Sequence, residues 1–150
     1  DILSVILYFI HHMNSKLNPY LSFDGKAKEA MEFYHSVFGG ALTMSTFKEG
    51  GMSSEPSEEN KLMHAMLVAD NGITLMASDT PKGWARHVGT NISISLSGDN
   101  ESELKGYWDA LSAKGTVNQP LVTAPWGDMF GMLIDAFDIK WMVNITGKKS

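Results

Sequence analysis

The sequence predicts an α+β fold of two tandem βαβββ modules, and three observations predict it. A helix motif with an adjacent aromatic pair occurs twice: Ala30-Met31-Glu32-Phe33-Tyr34 runs on to Gly39-Gly40, and Leu104-Lys105-Gly106-Tyr107-Trp108 runs on to Gly115. Each motif is followed by β-type sequence. Each half then closes in an apolar hairpin, Met66 to Ser78 around Asp70-Asn71-Gly72 and Phe130 to Ile145 around Asp135-Ala136-Phe137-Asp138. The offset of roughly 65 to 75 residues is too long for a solenoid repeat and suits two copies of a half-domain. A half-domain of that size cannot bury both faces of its own sheet. Two copies must therefore share a core, which leaves a cleft or a curved sheet face for a site.

In order along the chain, Leu17 to Phe23 reads as a first strand, limited at its start by Asn18-Pro19. Asp24-Gly25 turns into a helix from Lys26 to Phe38, where Ala27, Ala30, Met31, Tyr34, Val37 and Phe38 form one apolar stripe. Gly39-Gly40 ends it, because glycine takes the left-handed C-cap conformation without penalty. Ala41 to Phe47 is a strand. Lys48 to Asn60 is polar and reads as a loop in which Glu55, Glu58 and Glu59 are solvated. Leu62 to Ala69 and Ile73 to Ser78 form the first hairpin. Asp79 to Gly89 is a linker marked by Pro81 and Gly83. Asn91 to Leu96 alternates polar and apolar residues as a half-buried strand does. Asn100 or Ser102 caps a helix to Ala113, Gly115 stops it, and Val117 to Val122 is a strand. Phe130 to Ile134 with Ile139 to Ile145 closes the second hairpin.

Composition narrows the function classes. The chain has 150 residues, 43% of them hydrophobic and 19% charged, as in an ordinary globular protein of one domain. Its net charge is −5 and its cations are scattered, so nucleic acid, which needs a clustered cationic face, is not an expected partner. Without cysteine there can be no disulfide, thiolate nucleophile or Cys-ligated metal, which fits a cytoplasmic protein. The apolar run Ile2 to Ile10 is too short to span a bilayer and lacks the features of a signal peptide. His11-His12-Met13 resembles the end of a tag, so residues 1–12 read as a non-native extension and 13–150 as one domain of modules 17–79 and 89–146. The run is nevertheless apolar enough to add to a sheet edge or a neighbouring subunit.

From Leu17 to Thr146 the chain resembles the vicinal oxygen chelate superfamily of glyoxalases, bleomycin-resistance proteins and dioxygenases, most closely its PhnB-like branch. The resemblance rests on Pro19-Tyr20-Leu21-Ser22-Phe23, Val37-Phe38-Gly39-Gly40, His64-Ala65-Met66-Leu67 and Leu75-Met76-Ala77-Ser78-Asp79 in the first half. In the second half it rests on Trp126-Gly127, Gly131 and Asp135-Ala136-Phe137-Asp138-Ile139-Lys140-Trp141. The family has Pro-Phe-Gly after that aspartate, and Asp138 can replace the glycine of a left-handed turn. The resemblance implies a cup-shaped mixed sheet, a homodimer, and in many enzymes of the family a divalent metal held from the first and fourth strands of each module. Here those strands offer Tyr20, Ser22, Thr74, Met76, Ser78, Asn91, Ser93, Met142 and Asn144. None is an imidazole or carboxylate, so the expectation is no metal and no cofactor. Some PhnB-like sequences resemble demethylubiquinone methyltransferases, but no Gly-rich phosphate loop follows a strand here.

Candidate ligand-binding residues are Tyr20, His64, Met76, Trp84, Asn91, Trp126, Met142 and Asn144. His64 shares a strand face with Met66 and Val68 and is the one catalytic candidate; the alternative is a buried histidine satisfied by its neighbours. Trp84 and Trp126 stand where an indole can wall a pocket, whereas Trp108 and Trp141 belong to core periodicities. Met66, Met76 and Met142 could line the cup, but core filling is the favoured use. His35 and His87 show no ligand spacing. The leading expectation is a metal-free protein that binds or sequesters a small molecule as a homodimer. The alternatives are a metal-dependent lyase, isomerase or dioxygenase relative using His64, and a ligand-free structural or regulatory dimer.

Overall fold

The computed structural model describes residues 1–5, 15–53 and 55–147. Its elements follow the order read from the sequence: β1 (Tyr20–Phe23), α1 (Ala27–Phe38), β2 (Ala41–Thr46), β3 (Leu62–Val68), β4 (Thr74–Asp79), then β5 (Ile94–Gly98), α2 (Glu101–Ser112), β6 (Thr116–Thr123), β7 (Met129–Ile134) and β8 (Lys140–Ile145). Two four-stranded sheets result, ordered β1-β4-β3-β2 and β5-β8-β7-β6. In each, the first strand pairs parallel with the fourth and the other pairings are antiparallel. Among the described residues no ladder joins the two sheets.

One core spans both modules. Leu21, Phe23, Leu67, Leu75 and Ala77 from the first sheet meet Leu96, Leu133, Trp141, Val143 and Ile145 from the second, with the apolar faces of α1 and α2 and the partly buried Phe137 between them. The helices touch each other, and each packs on the sheet of its own module. Trp108 and Trp141 are both buried, as their periodicity requires.

Polar groups inside this core are satisfied by two aspartates. Lys26, before α1, makes no side-chain cap. Buried Asp79 on β4 does that work from a distance, accepting from the Ala27 amide at 3.0 Å and the Leu62 amide at 2.9 Å. Asp135, in the β7–β8 turn, accepts from Tyr34 Oη at 2.6 Å, Trp141 Nε1 at 2.8 Å, and the amides of Phe137 and Ile139. Burial, then the Asp135 charge and its hydrogen bond, push the Tyr34 hydroxyl far above the ordinary tyrosine range. In the other direction Asn71, in the β3–β4 turn, donates to Glu103 and Tyr107 of α2. The final turn of each module is thus fastened to the helix of the other.

Gly40 and Gly115 recur at equivalent positions before β2 and β6, and a Cβ at either would collide with the backbone at the end of the module's third strand. Asp138 takes φ 66, the left-handed conformation foreseen for it.

Several local expectations are corrected. The strand expected over Asn91–Leu96 begins only at Ile94, where Trp141 becomes available as its ladder partner, so Asn91 lies in the linker. Glu58 is not solvated. It is buried at 7% exposure in a 3₁₀ turn (Pro56–Glu58), 3.0 Å from Lys61, and accepts from the Lys82 amide. Hydrogen bonding by Lys61 is the main cause that holds its carboxyl below the usual range. Of the run Ile2 to Ile10, only residues 2–5 are described, and they form an exposed helical turn. Whether the rest adds to a sheet edge lies outside the described residues. No helix among the described residues is long and apolar enough to cross a membrane.

Candidate functional site

Strand alternation gives each sheet one face on the shared core and one open face. On the first sheet Leu21, Leu67, Leu75 and Ala77 point inward. Their neighbours Tyr20, Ser22, Met76, Ser78, His64 and Met66 therefore share the open face. Register sets them in a row: Tyr20 lies opposite Met76, Met76 opposite Met66, and Met66 opposite Thr43. The second sheet repeats the row with Ser95, Met142, Met132 and Gln119. Next to it run Ser97, Asn144, Phe130 and Val122.

The first face holds a specific contact. Tyr20 Oη and His64 Nδ1 are 3.2 Å apart, with ring centroids at 5.8 Å and planes tilted by 36°. β1 and β3 carry these residues and are both hydrogen-bonded to β4, so the 44-residue separation in sequence closes only through the ladder. The hydroxyl donates if Nδ1 is bare and accepts if Nδ1 carries the proton. The imidazole is half-buried. The face has no carboxylate and no amine, so it can hold an apolar body with thioethers and orient it through a hydroxyl and an imidazole.

The second face is more aromatic. Trp126, 62% exposed in the β6–β7 loop, packs edge-on against Phe130 at 5.6 Å. Asn144 donates to Asp128 at 2.9 Å, which fixes its amide. The structure therefore brings Tyr20, His64 and Met76 together on one face, and Met142, Asn144 and Trp126 together on the other. Trp84 and Asn91 join neither group. Trp84 is 70% exposed and borders a hollow with Asp24 and Lys61, and Asn91 lies in the linker. Met66, Met76 and Met142, for which core filling was the favoured use, are instead on open faces, because the strand register sets Met66 opposite Met76 and Met142 opposite Met132, away from the core. Sequence reasoning missed Met132 and Phe130, although their offset of 66 from Met66 and His64 repeats that of Met142 from Met76.

A divalent ion of the kind the superfamily resemblance implies does not fit these residues. At the first and fourth strands the open positions are Tyr20, Ser22, Thr74, Met76, Ser78, Ser95, Ser97, Lys140, Met142 and Asn144: hydroxyls, thioethers, one amide and one ammonium, with no imidazole or carboxylate. Among the described residues no group of three or more His, Asp or Glu is placed to hold a metal.

Two four-stranded mixed sheets of repeated βαβββ order, each with an open face, define a glyoxalase/bleomycin-resistance-like protein. A domain described as glyoxylase/bleomycin resistance protein/dioxygenase, from Frankia sp. EAN1pec, shares this fold at TM-score 0.61, over 91% of this chain and 99% of that one, with 12% identity. A family model described as 3-demethylubiquinone-9 3-methyltransferase matches residues 15–144. The chain belongs to that family, a PhnB-like branch of the vicinal oxygen chelate superfamily. Protein PA1353 from Pseudomonas aeruginosa is 36% identical at TM-score 0.75, covering 90% of this chain and all of that one. Protein YjdN of Escherichia coli is 28% identical over 141 residues, 87% of this chain and 95% of that protein.

Proposed function

We propose that this protein binds or sequesters a small, largely apolar molecule, as a homodimer in the cytoplasm, on the sheet face that carries Tyr20, His64 and Met76. The observation that carries the reading is the chemistry of that face. It is half-exposed, lined by the Met66–Met76 pair, without carboxylate or amine, and provided with one oriented polar pair. Such a surface favours an adaptable apolar contact with a few placed hydrogen bonds. Assembly is supported by large apolar side chains left exposed on the linker and loops, namely Trp84 and Trp126. The family description names a methyl transfer, yet no strand here leads into a Gly-rich loop that would cradle a nucleoside cofactor's phosphates or ribose, so methyl transfer has no support from the residues.

Native mass spectrometry of the protein as isolated tests this. The expected result is twice the 16.5 kDa chain mass with a non-covalent adduct that His64→Ala and Met76→Ala lose. A monomer that takes up no apolar small molecule in a thermal-shift screen would overturn it.

The Tyr20–His64 pair also favours a second reading, an enzyme of isomerase or lyase type. A hydroxyl and imidazole at 3.2 Å can pass a proton to or from a bound ligand. Turnover that disappears in both Tyr20→Phe and His64→Ala would place this reading first.

A further inference from the structure

Arg86 bears on what a ligand of this face carries besides its apolar body. It is the only arginine in the chain and lies in the linker. Its Nε donates to the carbonyl oxygen of Ser22 at 3.2 Å, which holds the guanidinium against β1, two residues from Tyr20. Among the described residues its terminal nitrogens make no hydrogen bond or ion pair. The side chain is thus anchored at one nitrogen and free at the two that form a bidentate fork.

Arg86 lines a cavity of about 300 Å³ between the β1 edge and the segment entering β5, and also two neighbouring hollows that it shares with Asp24. The apolar walls of the cavity are Val88, Ile92, Ile94 and Ile139, and Tyr20 joins it to the face that carries His64. Lys140 adds a second cation and donates to the Thr90 carbonyl oxygen at 2.7 Å. His87 also faces the cavity. Asp138 is the single carboxylate in its lining, so the cations outnumber it even with His87 neutral.

We infer that Arg86 is an anion clamp, and that the ligand is an organic acid, an apolar or aromatic body bearing one carboxylate, sulfonate or phosphonate group. The body lies along Tyr20 and the isoleucines, and the acid group accepts the two terminal N–H donors of Arg86, with Lys140 beside it. A planar guanidinium already held by Ser22 loses little freedom on pairing, which favours an oxyanion over a neutral group. This inference rests on the small-molecule reading proposed above.

A matched pair of fluorescent probes tests it: anilinonaphthalene sulfonate, an aromatic anion, and uncharged N-phenylnaphthylamine. The wild-type protein should bind both, the sulfonate more tightly. Arg86→Gln should weaken the sulfonate about tenfold and leave the neutral probe unchanged, as expected for a lost charge-assisted pair. Arg86→Lys should recover only part, because the fork is gone. Lys28→Gln removes the same charge from the exposed side of α1 and should change neither probe. If Arg86→Gln leaves the sulfonate unchanged while Tyr20→Ala weakens both probes, the binding face stands and the clamp falls. If Lys28→Gln weakens the sulfonate as much as Arg86→Gln, general charge attraction is at work and the clamp again falls. If neither probe binds wild type, the small-molecule reading itself is overturned.

Discussion

Replacing Asp135 with alanine removes the acceptor shared by four donors. Two of them, Tyr34 Oη and Trp141 Nε1, belong to side chains at 0% and 1% exposure, so water cannot take the carboxylate's place without opening the core. Leaving each unsatisfied costs about 1–2 kcal/mol, and the two turn amides, nearer to solvent, add about 0.5–1 kcal/mol each. The expected loss is therefore about 3–6 kcal/mol, against about 5–15 kcal/mol for the whole stability of a domain. At this chain length each kcal/mol shifts the melting temperature by about 2–4 °C, so it should fall by about 6–24 °C. Asp135→Asn keeps an oxygen for the turn amides and leaves mainly the Trp141 N–H unpaired, at about 1–2 kcal/mol. Tyr34→Phe leaves the carboxylate three donors and should cost about 1–1.5 kcal/mol. Urea unfolding followed by tryptophan fluorescence measures all three. An Asp135→Ala loss below that of Tyr34→Phe would refute the hub.

Other expectations can be checked with the same equipment. Gly131→Ala places a Cβ 2.6 Å from Trp108 Cη2 and should destabilise by about 1–3 kcal/mol, whereas Gly106→Ala, in open space on α2, should stabilise by about 0.5–1 kcal/mol. Hydrogen bonds from Tyr107 and then Asn71 hold the Glu103 carboxyl below the usual range. Because its folded value is depressed, the stability it contributes is present above about pH 4.3 and lost as pH falls through the folded value, so Glu103→Gln should flatten the acid limb of urea midpoints against pH. Burial first, then Glu103, pushes Tyr107 up to about 12, and the corresponding stability is lost as pH rises above about 10. Mild peroxide should oxidise Met66, Met76, Met132 and Met142 on the open faces well before buried Met31, as read by peptide mass spectrometry.

What the sequence shows and hides follows from how local each signal is. The α1 stripe, the Asn71-Gly72 turn and the burial of Trp108 and Trp141 are written in neighbouring residues, and all are present. The alternation of Asn91 to Leu96 is equally clean, but periodicity does not reveal where a partner strand ends. Ile92 is 79% exposed because the parallel ladder with β8 starts at Ile94. Methionine is ambiguous by nature, and only the strand register decides that Met76 and Met142 are on open faces. Glu58 resembles its solvated neighbours until Lys61 and the Lys82 amide converge on it. Arg86 has no local signature, since its anchor at Ser22 is 64 residues away.

The crossed fastening of the two turns bears on how the chain can be divided. Cut within the linker, a fragment ending near Thr80 would keep Asn71 without Glu103 and Tyr107, and would expose the α1 surface that Trp141 and Phe137 cover. Its counterpart would keep Asp135 without Tyr34. Each piece is the other's missing wall, so neither should hold structure by itself, and the pair should reassemble when mixed. A protease nick at exposed Trp84 or Arg86 should leave a particle of unchanged mass whose strands separate only in denaturant. Co-expressed halves would follow the same rule: a productive split gives signal only when both are present.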